Sequence, residues 1–206
     1  MNKRLLSIAL CLVFILTSVL FSACSEDIVT TTSNNKVSSR PTAFPQDTVL
    51  LASSMLIKYT LNDIIIKSRA AVIGKVIDIL PSKQENRDGT MIIYTDIVIK
   101  PERYLYGKPE AERIVVRVNE GRVGNTVMLN PDEAEFILGE TCLVFLIYPY
   151  YAHTTPEGFD DANYYVLWGQ IAGKLYIDGD TFVDITGAKM TLSEIEMAIA
   201  SVGKGN

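Results

Sequence analysis

The chain has 206 residues, with 19 basic and 24 acidic side chains, a net charge of −5 and a mean hydropathy of +0.20. That length suits one ordinary domain with a tail and is short for two full domains. The acidic balance argues against a nucleic-acid binder, whose affinity would rest on neutralising phosphates.

Lys3 and Arg4 precede an uncharged run from Leu5 to Ser25, rich in Leu, Ile, Val and Phe and closed by Glu26 and Asp27. A charged start followed by an apolar stretch marks an export leader, and a run of this length is also long enough to anchor in a bilayer. It ends in Leu20-Phe21-Ser22-Ala23-Cys24, which resembles the lipobox of bacterial lipoproteins, with Phe21 where an aliphatic residue is usual. The resemblance implies a signal peptide over residues 1–23 and a lipid-modified Cys24 as the new N-terminus. The body would then be held to the membrane from outside the cytoplasm. An uncleaved anchor or a plain secretory leader would leave the body on that same side. With Lys3 and Arg4 removed, 17 basic residues face 24 acidic ones, a net charge of −7. Cys11 lies in the leader and Cys24 is committed to lipid, so Cys142 has no disulfide partner. Its apolar surroundings, Thr141 to Ile147, predict a small buried hydrophobe.

Residues 25–48 hold nine Ser or Thr along with Pro41 and Pro45, and show little apolar pattern. Such composition predicts a disordered tether over residues 24–48, with one β-rich domain from 49 to 206. A first strand is expected from Val49 toward Tyr59. Thr60 and Asp63 then start a short helix near residues 60–68, with Leu61, Ile64 and Ile65 on its apolar face. Ala70 to Leu80 predicts a strand apolar on both faces except at Lys75 and Asp78, bent or bulged at Gly74.

Ser82 to Gly89 is expected as a polar loop, followed by a half-buried strand in which Met91, Ile93, Ile97 and Ile99 alternate with Tyr94, Asp96 and Lys100. Pro101 ends it and a turn covers Tyr104 to Pro109. The next strand alternates Ile114, Val116 and Val118 with Val115, Arg117 and Asn119, and Gly121 and Gly124 break it before a short strand at Val127 to Leu129. Thr141 to Tyr148 is expected as the central buried strand. After a loop from Pro149 to Ala162, strands are expected at Tyr164–Trp168, Lys174–Ile177 and Thr181–Ile185. A C-terminal helix at residues 191–202 begins in a capping box of Thr191 and Glu194 and faces the core with Leu192, Ile195, Ile199 and Val202.

The pattern predicts a mainly β fold, a small curled antiparallel barrel or sandwich with two modest helices. Four segments carry a resemblance: Ala71-Val72-Ile73-Gly74-Lys75-Val76, Tyr94-Thr95-Asp96-Ile97-Val98-Ile99, Leu105-Tyr106-Gly107-Lys108, and Leu138 to Leu146. On these, the body resembles the secreted OB-like barrels of the netrin and tissue-inhibitor type. Members that inhibit metalloproteases use an N-terminal cysteine held by disulfides, a device this cysteine set does not supply.

No nucleophile elbow and no phosphate-binding glycine loop occurs in the chain, and His153 has no partner motif for a serine-type triad. No cofactor or metal is expected. The most distinctive composition is Tyr148-Pro149-Tyr150-Tyr151-Ala152-His153, followed by Phe159, Tyr164, Tyr165 and Trp168. Rings of this kind either cap a core or offer flat faces to a sugar, peptide or protein. Tyr150, Tyr151, His153, Asp160, Asp161 and Trp168 are therefore the candidate ligand-binding residues. The expected function is a lipid-anchored binding or interaction module of the cell envelope, with a protein, peptide or glycan partner and no nucleic acid. The alternative is an envelope hydrolase acting through the acids from Glu157 to Asp161.

Overall fold

The most apolar strands occupy the middle of the sheet. In the computed structural model, β2 (Ala70–Ile79) and β8 (Thr141–Ile147) pair antiparallel, Val72 opposite Val144 and Gly74 opposite Cys142. The model describes residues 36–52, 59–87, 89–107, 112–149 and 164–204, which belong to one unit running from Lys36 to Asn206. Both central strands are buried on two faces. Val72, Val76, Cys142, Val144 and Leu146 turn into the concave side of the sheet, while Ala71, Ile73, Leu143 and Phe145 lie under the helices. Where a strand is covered on both sides its residues must be apolar, as Ala70–Ile73 and Cys142–Leu146 are, while Lys75 and Asp78 of β2 lie exposed.

The remaining elements are β1 (Thr48–Leu51), α1 (Leu61–Lys67), β3 (Lys83–Arg87), β4 (Thr90–Tyr106), β5 (Ile114–Val118), β6 (Gly121–Val123) and β7 (Thr126–Leu129). They continue with β9 (Val166–Leu167), a 3-10 turn (Gln170–Gly173), β10 (Lys174–Asp178), β11 (Thr181–Val183), β12 (Lys189–Thr191) and α2 (Leu192–Ser201). The large sheet runs β12-β11-β10-β8-β2-β4-β3, with β5 beside β4 and β9 beside β8, all antiparallel. Its ladders alone do not close a barrel. One parallel bridge spans the gap: the Tyr165 N–H donates to Val115 O at 2.7 Å and the Arg117 N–H to Tyr165 O at 2.9 Å. Backbone bonds can thus be followed from β2 through β4, β5 and Tyr165 to β9, β8 and back to β2, around a core that includes Ile97, Ile99, Val116 and Phe136. The fold is the expected mainly β body with a C-terminal helix.

Both helices start in capping boxes, Thr60 with Asp63 and Thr191 with Glu194, so the first-turn N–H groups are satisfied as the sequence indicates. Ile64 and Ile65 of α1 and Ile195 and Ile199 of α2 pack on the outer face of β2 and β8. Among the described residues, no helix is long and apolar enough to cross a membrane.

Four expectations are corrected. The strand expected to stop at Pro101 runs to Tyr106: Pro101 pairs with Gly74 at a register shift, where a missing N–H breaks no regular ladder. The bend expected at Gly74 is there, and a Cβ on it would lie 2.6 Å from Ile99 Cγ2 and 2.8 Å from Lys100 O. Part of the polar loop expected over residues 82–89 is β3, a ribbon of Lys, Gln, Glu, Asn and Arg that pairs with the start of β4. Its strand character comes from its partner, because it has no apolar face of its own. The third-last strand is shorter than expected, Val166–Leu167, and β12 had no signal in its three residues.

Residues 36–48, expected as part of a disordered tether, instead run against the body. Ser39 N donates to Phe136 O at 2.7 Å, Phe136 N returns to Ser39 Oγ at 2.8 Å, and Ser38 Oγ donates to Glu135 Oε1 at 2.6 Å. β1 then pairs parallel with β7, Val49 opposite Val127. Backbone and hydroxyl bonding, which a lack of apolar residues does not reveal, holds this segment.

Candidate functional site

Residues that alternate outward on β4 and β5 meet on the face of these strands opposite the core that holds Ile97 and Val116. Tyr94 and Asp96 are two apart on β4, and Arg117 is the register partner of Asp96 on β5. Arg117 Nε donates to Asp96 Oδ1 at 2.7 Å and Nη2 to Asp96 Oδ2 at 2.9 Å, a bidentate pair with side chains only 13% and 9% exposed. The guanidinium lies 3.6 Å from the Tyr94 ring centroid and 3.8 Å from that of Tyr164. Both faces of its plane are therefore covered by rings and one edge by a carboxylate. Burial alone would lower its pKa, but the Asp96 bonds and charge, with Tyr94 and Tyr164, raise it. Such a group is a fixed cation whose orientation is set before any partner arrives.

Arg117 and Tyr164 border a cleft of about 170 Å³. Its other polar walls are Arg87 at the end of β3, Asn119 just past β5, Glu133 and Gln170. Its apolar floor is Ile147, Pro149, Val166 and Leu167. The cleft thus joins the β3–β4 ribbon, β5, the end of β8 with Pro149, and the segment from Tyr164 to Gln170.

Behind the cleft lies a group of buried acids. Glu133 Oε1 accepts from Asn119 N at 3.2 Å and from Asn119 Nδ2 at 3.4 Å, and its backbone O accepts from Arg40 Nη2 at 2.8 Å. Arg40 Nε is 3.7 Å from Glu120 Oε2, and Glu120 Oε1 is buried with no hydrogen-bond partner among the described residues. Burial pushes the Glu120 carboxyl up to about 7, with Arg40 opposing and Glu133 and Glu135 adding to the rise. Burial likewise pushes Glu133 up to about 7, against the bonds from Asn119. A neutral acid is the cheaper form where water is excluded and cations are few. Lys174, fully buried, is engaged by Glu140 Oε1 and Glu135 O, each at 2.5 Å, with the rings of Tyr176 and Phe136 within 4.5 Å. Burial pushes the Cys142 thiol up to about 12, which leaves it unreactive in the core.

A larger concavity of about 550 Å³ opens between the start of α1 and the β10–β12 strands, walled by Tyr59, Leu61, Ile64, Leu175, Ile185 and Met190. Its polar members are already used: Thr60 Oγ1 serves the α1 cap, and Asp184 Oδ1 accepts from Thr186 N, Thr186 Oγ1 and Ala188 N. The smaller cleft, with convergent donors and a fixed cation, has more chemistry for orienting a partner.

Of the residues singled out from sequence, Trp168 is described, and Cys24, Tyr150, Tyr151, His153, Asp160 and Asp161 lie outside the described residues, as do Glu157 and Phe159. Trp168 is half-buried with the helix-side cluster, tilted on Tyr59 at 5.9 Å between ring centroids. From the same aromatic stretch, Tyr148 stacks on Tyr165 at 5.4 Å, and Tyr164 reaches the cleft. Sequence reasoning did not single out Arg117, Asp96 or Tyr94. The available signal was opposite charge on the outward positions of neighbouring strands. Among the described residues, no group of three or more His, Cys, Asp or Glu side chains could hold a metal ion. No family model matches the chain, and no curated protein matches it significantly.

Proposed function

We propose that this protein is a lipid-anchored binding module of the cell envelope, exposed outside the cytoplasm, and that its partner docks at the cleft walled by Arg117 and Tyr164. Lys3, Arg4, the apolar run and Ser22-Ala23-Cys24 support the anchor. The ring of strands, with one parallel bridge between its third and last members, supports the OB-like reading. In such barrels this face and its adjoining loops commonly meet the ligand. The reading rests most on the Tyr94–Arg117–Tyr164 stack, a desolvated cation beside a cleft of about 170 Å³. That volume is below the roughly 300 to 1,000 Å³ of pockets that enclose a whole small molecule, so one side chain or one ring of a larger partner fits it.

The acids of the hydrolase alternative, Glu157 to Asp161, lie outside the described residues. At the cleft itself, of the two strongly raised carboxyls only Glu133 is on the wall, where glycoside hydrolysis would need two acids facing one substrate. The test is affinity capture from envelope extracts with the full-length protein and its Tyr164→Ala variant. Loss of the captured partner with an unchanged melting temperature is expected; equal capture by both proteins would contradict the assignment. Cys24→Ala is expected to leave an unprocessed precursor by mass spectrometry, and an N-terminus identical to that of the wild type would contradict the anchor.

A further inference from the structure

Arg117 is the oriented cation of the cleft wall. It uses Nε and Nη2 on Asp96, and among the described residues no hydrogen bond from its Nη1 is seen. With both faces of the guanidinium under Tyr94 and Tyr164, a polar partner can approach that group only in its own plane. Arg87, whose guanidinium is ion-paired with Glu85, adds a second arginine to the same wall, and Asn119 and Gln170 add amides. The one carboxyl on the wall, Glu133, accepts from Asn119 N and is largely in its neutral form below pH 7. Beneath these groups the floor is apolar.

From this arrangement we infer that the cleft takes a carboxylate carried on a short apolar stem, seated in plane with the Arg117 guanidinium. The inference rests on the cleft being the recognition site and adds the class of group it accepts. A planar carboxylate matches the planar fork of arginine, and a cation held by rings and a counter-ion loses little freedom when it binds. The stem would lie on Ile147, Val166 and Leu167. Either a free short-chain acid or the C-terminus of a peptide presents this chemistry.

The test is ligand-observed NMR on the full-length protein in detergent micelles, with four probes: propionate, acetyl-Ala-Ala, acetyl-Ala-Ala amide and N-acetylglucosamine. Saturable binding of propionate and acetyl-Ala-Ala is expected if a free acid suffices, and of acetyl-Ala-Ala alone if a chain end is required. In both cases the amide should bind about tenfold more weakly, the effect of losing one charge-assisted hydrogen bond. Arg117→Lys keeps a cation for Asp96 but not the fork, and is expected to show the same loss. Arg87→Gln, outside the Tyr–Arg–Tyr stack, gives a second reading should Arg117→Lys fold poorly, and a smaller loss of acid binding is expected from it. Equal binding of acid and amide, or binding of N-acetylglucosamine alone, would overturn the carboxylate while the cleft stands as a site if Tyr164→Ala abolishes that binding. No binding by any of the four overturns the carboxylate as well. The cleft itself then falls only if Tyr164→Ala also leaves partner capture intact.

Discussion

Asp96 and Arg117 face each other across β4 and β5 and exchange two hydrogen bonds, with the arginine closed between Tyr94 and Tyr164. The pair fixes β5 against β4 and sets the angle at which Arg117 meets the cleft. A pair so little exposed is costly to break on one side only. Asp96→Asn is expected to destabilise the body by about 2 to 4 kcal/mol, toward the level of a buried pair losing one member, and Asp96→Asn with Arg117→Gln together by less than Arg117→Gln alone. Urea unfolding of the three variants checks this, and strict additivity would contradict it.

The Gly74 position admits no side chain. A Cβ there meets Ile99 Cγ2 and the Lys100 carbonyl at the bulge opposite Pro101. Gly74→Ala is expected to cost about 1 to 3 kcal/mol, the range for overpacking a closed core. Thermal unfolding measures it.

Much of the body was legible in the sequence, because burial writes itself as apolar periodicity. Ala70–Ile79, apolar on both faces except at Lys75 and Asp78, and Thr141–Ile147 are the central strands, and Thr60 and Thr191 each cap a helix. The misses share a cause. Segments held by hydrogen bonds to a distant partner, β3 and residues 36–48, have no apolar signature to find. The cleft was legible only in part: Asp96 and Arg117 show as outward residues of adjacent strands, but the approach of Tyr164 and the burial of Glu120 and Glu133 depend on long-range packing.

Residues 36–48 therefore contribute to stability. Ser39 is buried and its hydroxyl accepts from Phe136 N, while Asp47 is paired with Arg122. Ser39→Ala leaves a buried N–H unsatisfied and is expected to cost about 1 to 3 kcal/mol. Deletion of residues 36–47 is expected to lower the melting temperature clearly, and an unchanged value would return this segment to the tether.

Glu120 and Glu133 make stability fall with rising pH. Both carboxyls titrate near 7 in the folded protein against 4.5 ordinarily, so the unfolded chain releases these protons first. Their contribution is full below pH 4.5 and is lost as pH rises through about 7. The denaturation midpoint is expected to drop between pH 5 and pH 8, with Arg40 as the nearby cation and Asp132 and Glu135 as nearby acids. Glu120→Gln and Glu133→Gln should each flatten that slope, and an unchanged slope in both would contradict the assignment.

The most direct test of the recognition cleft is in-cell photocrosslinking of the full-length protein from a photoreactive residue at Asn119, on the cleft wall, against one at Lys189 on β12. A discrete crosslinked product from position 119, absent from position 189 and abolished by Tyr164→Ala, is the expected result. Products of equal yield from both positions, or a product at 119 that survives Tyr164→Ala, would contradict the claim that this cleft is where the protein meets its partner.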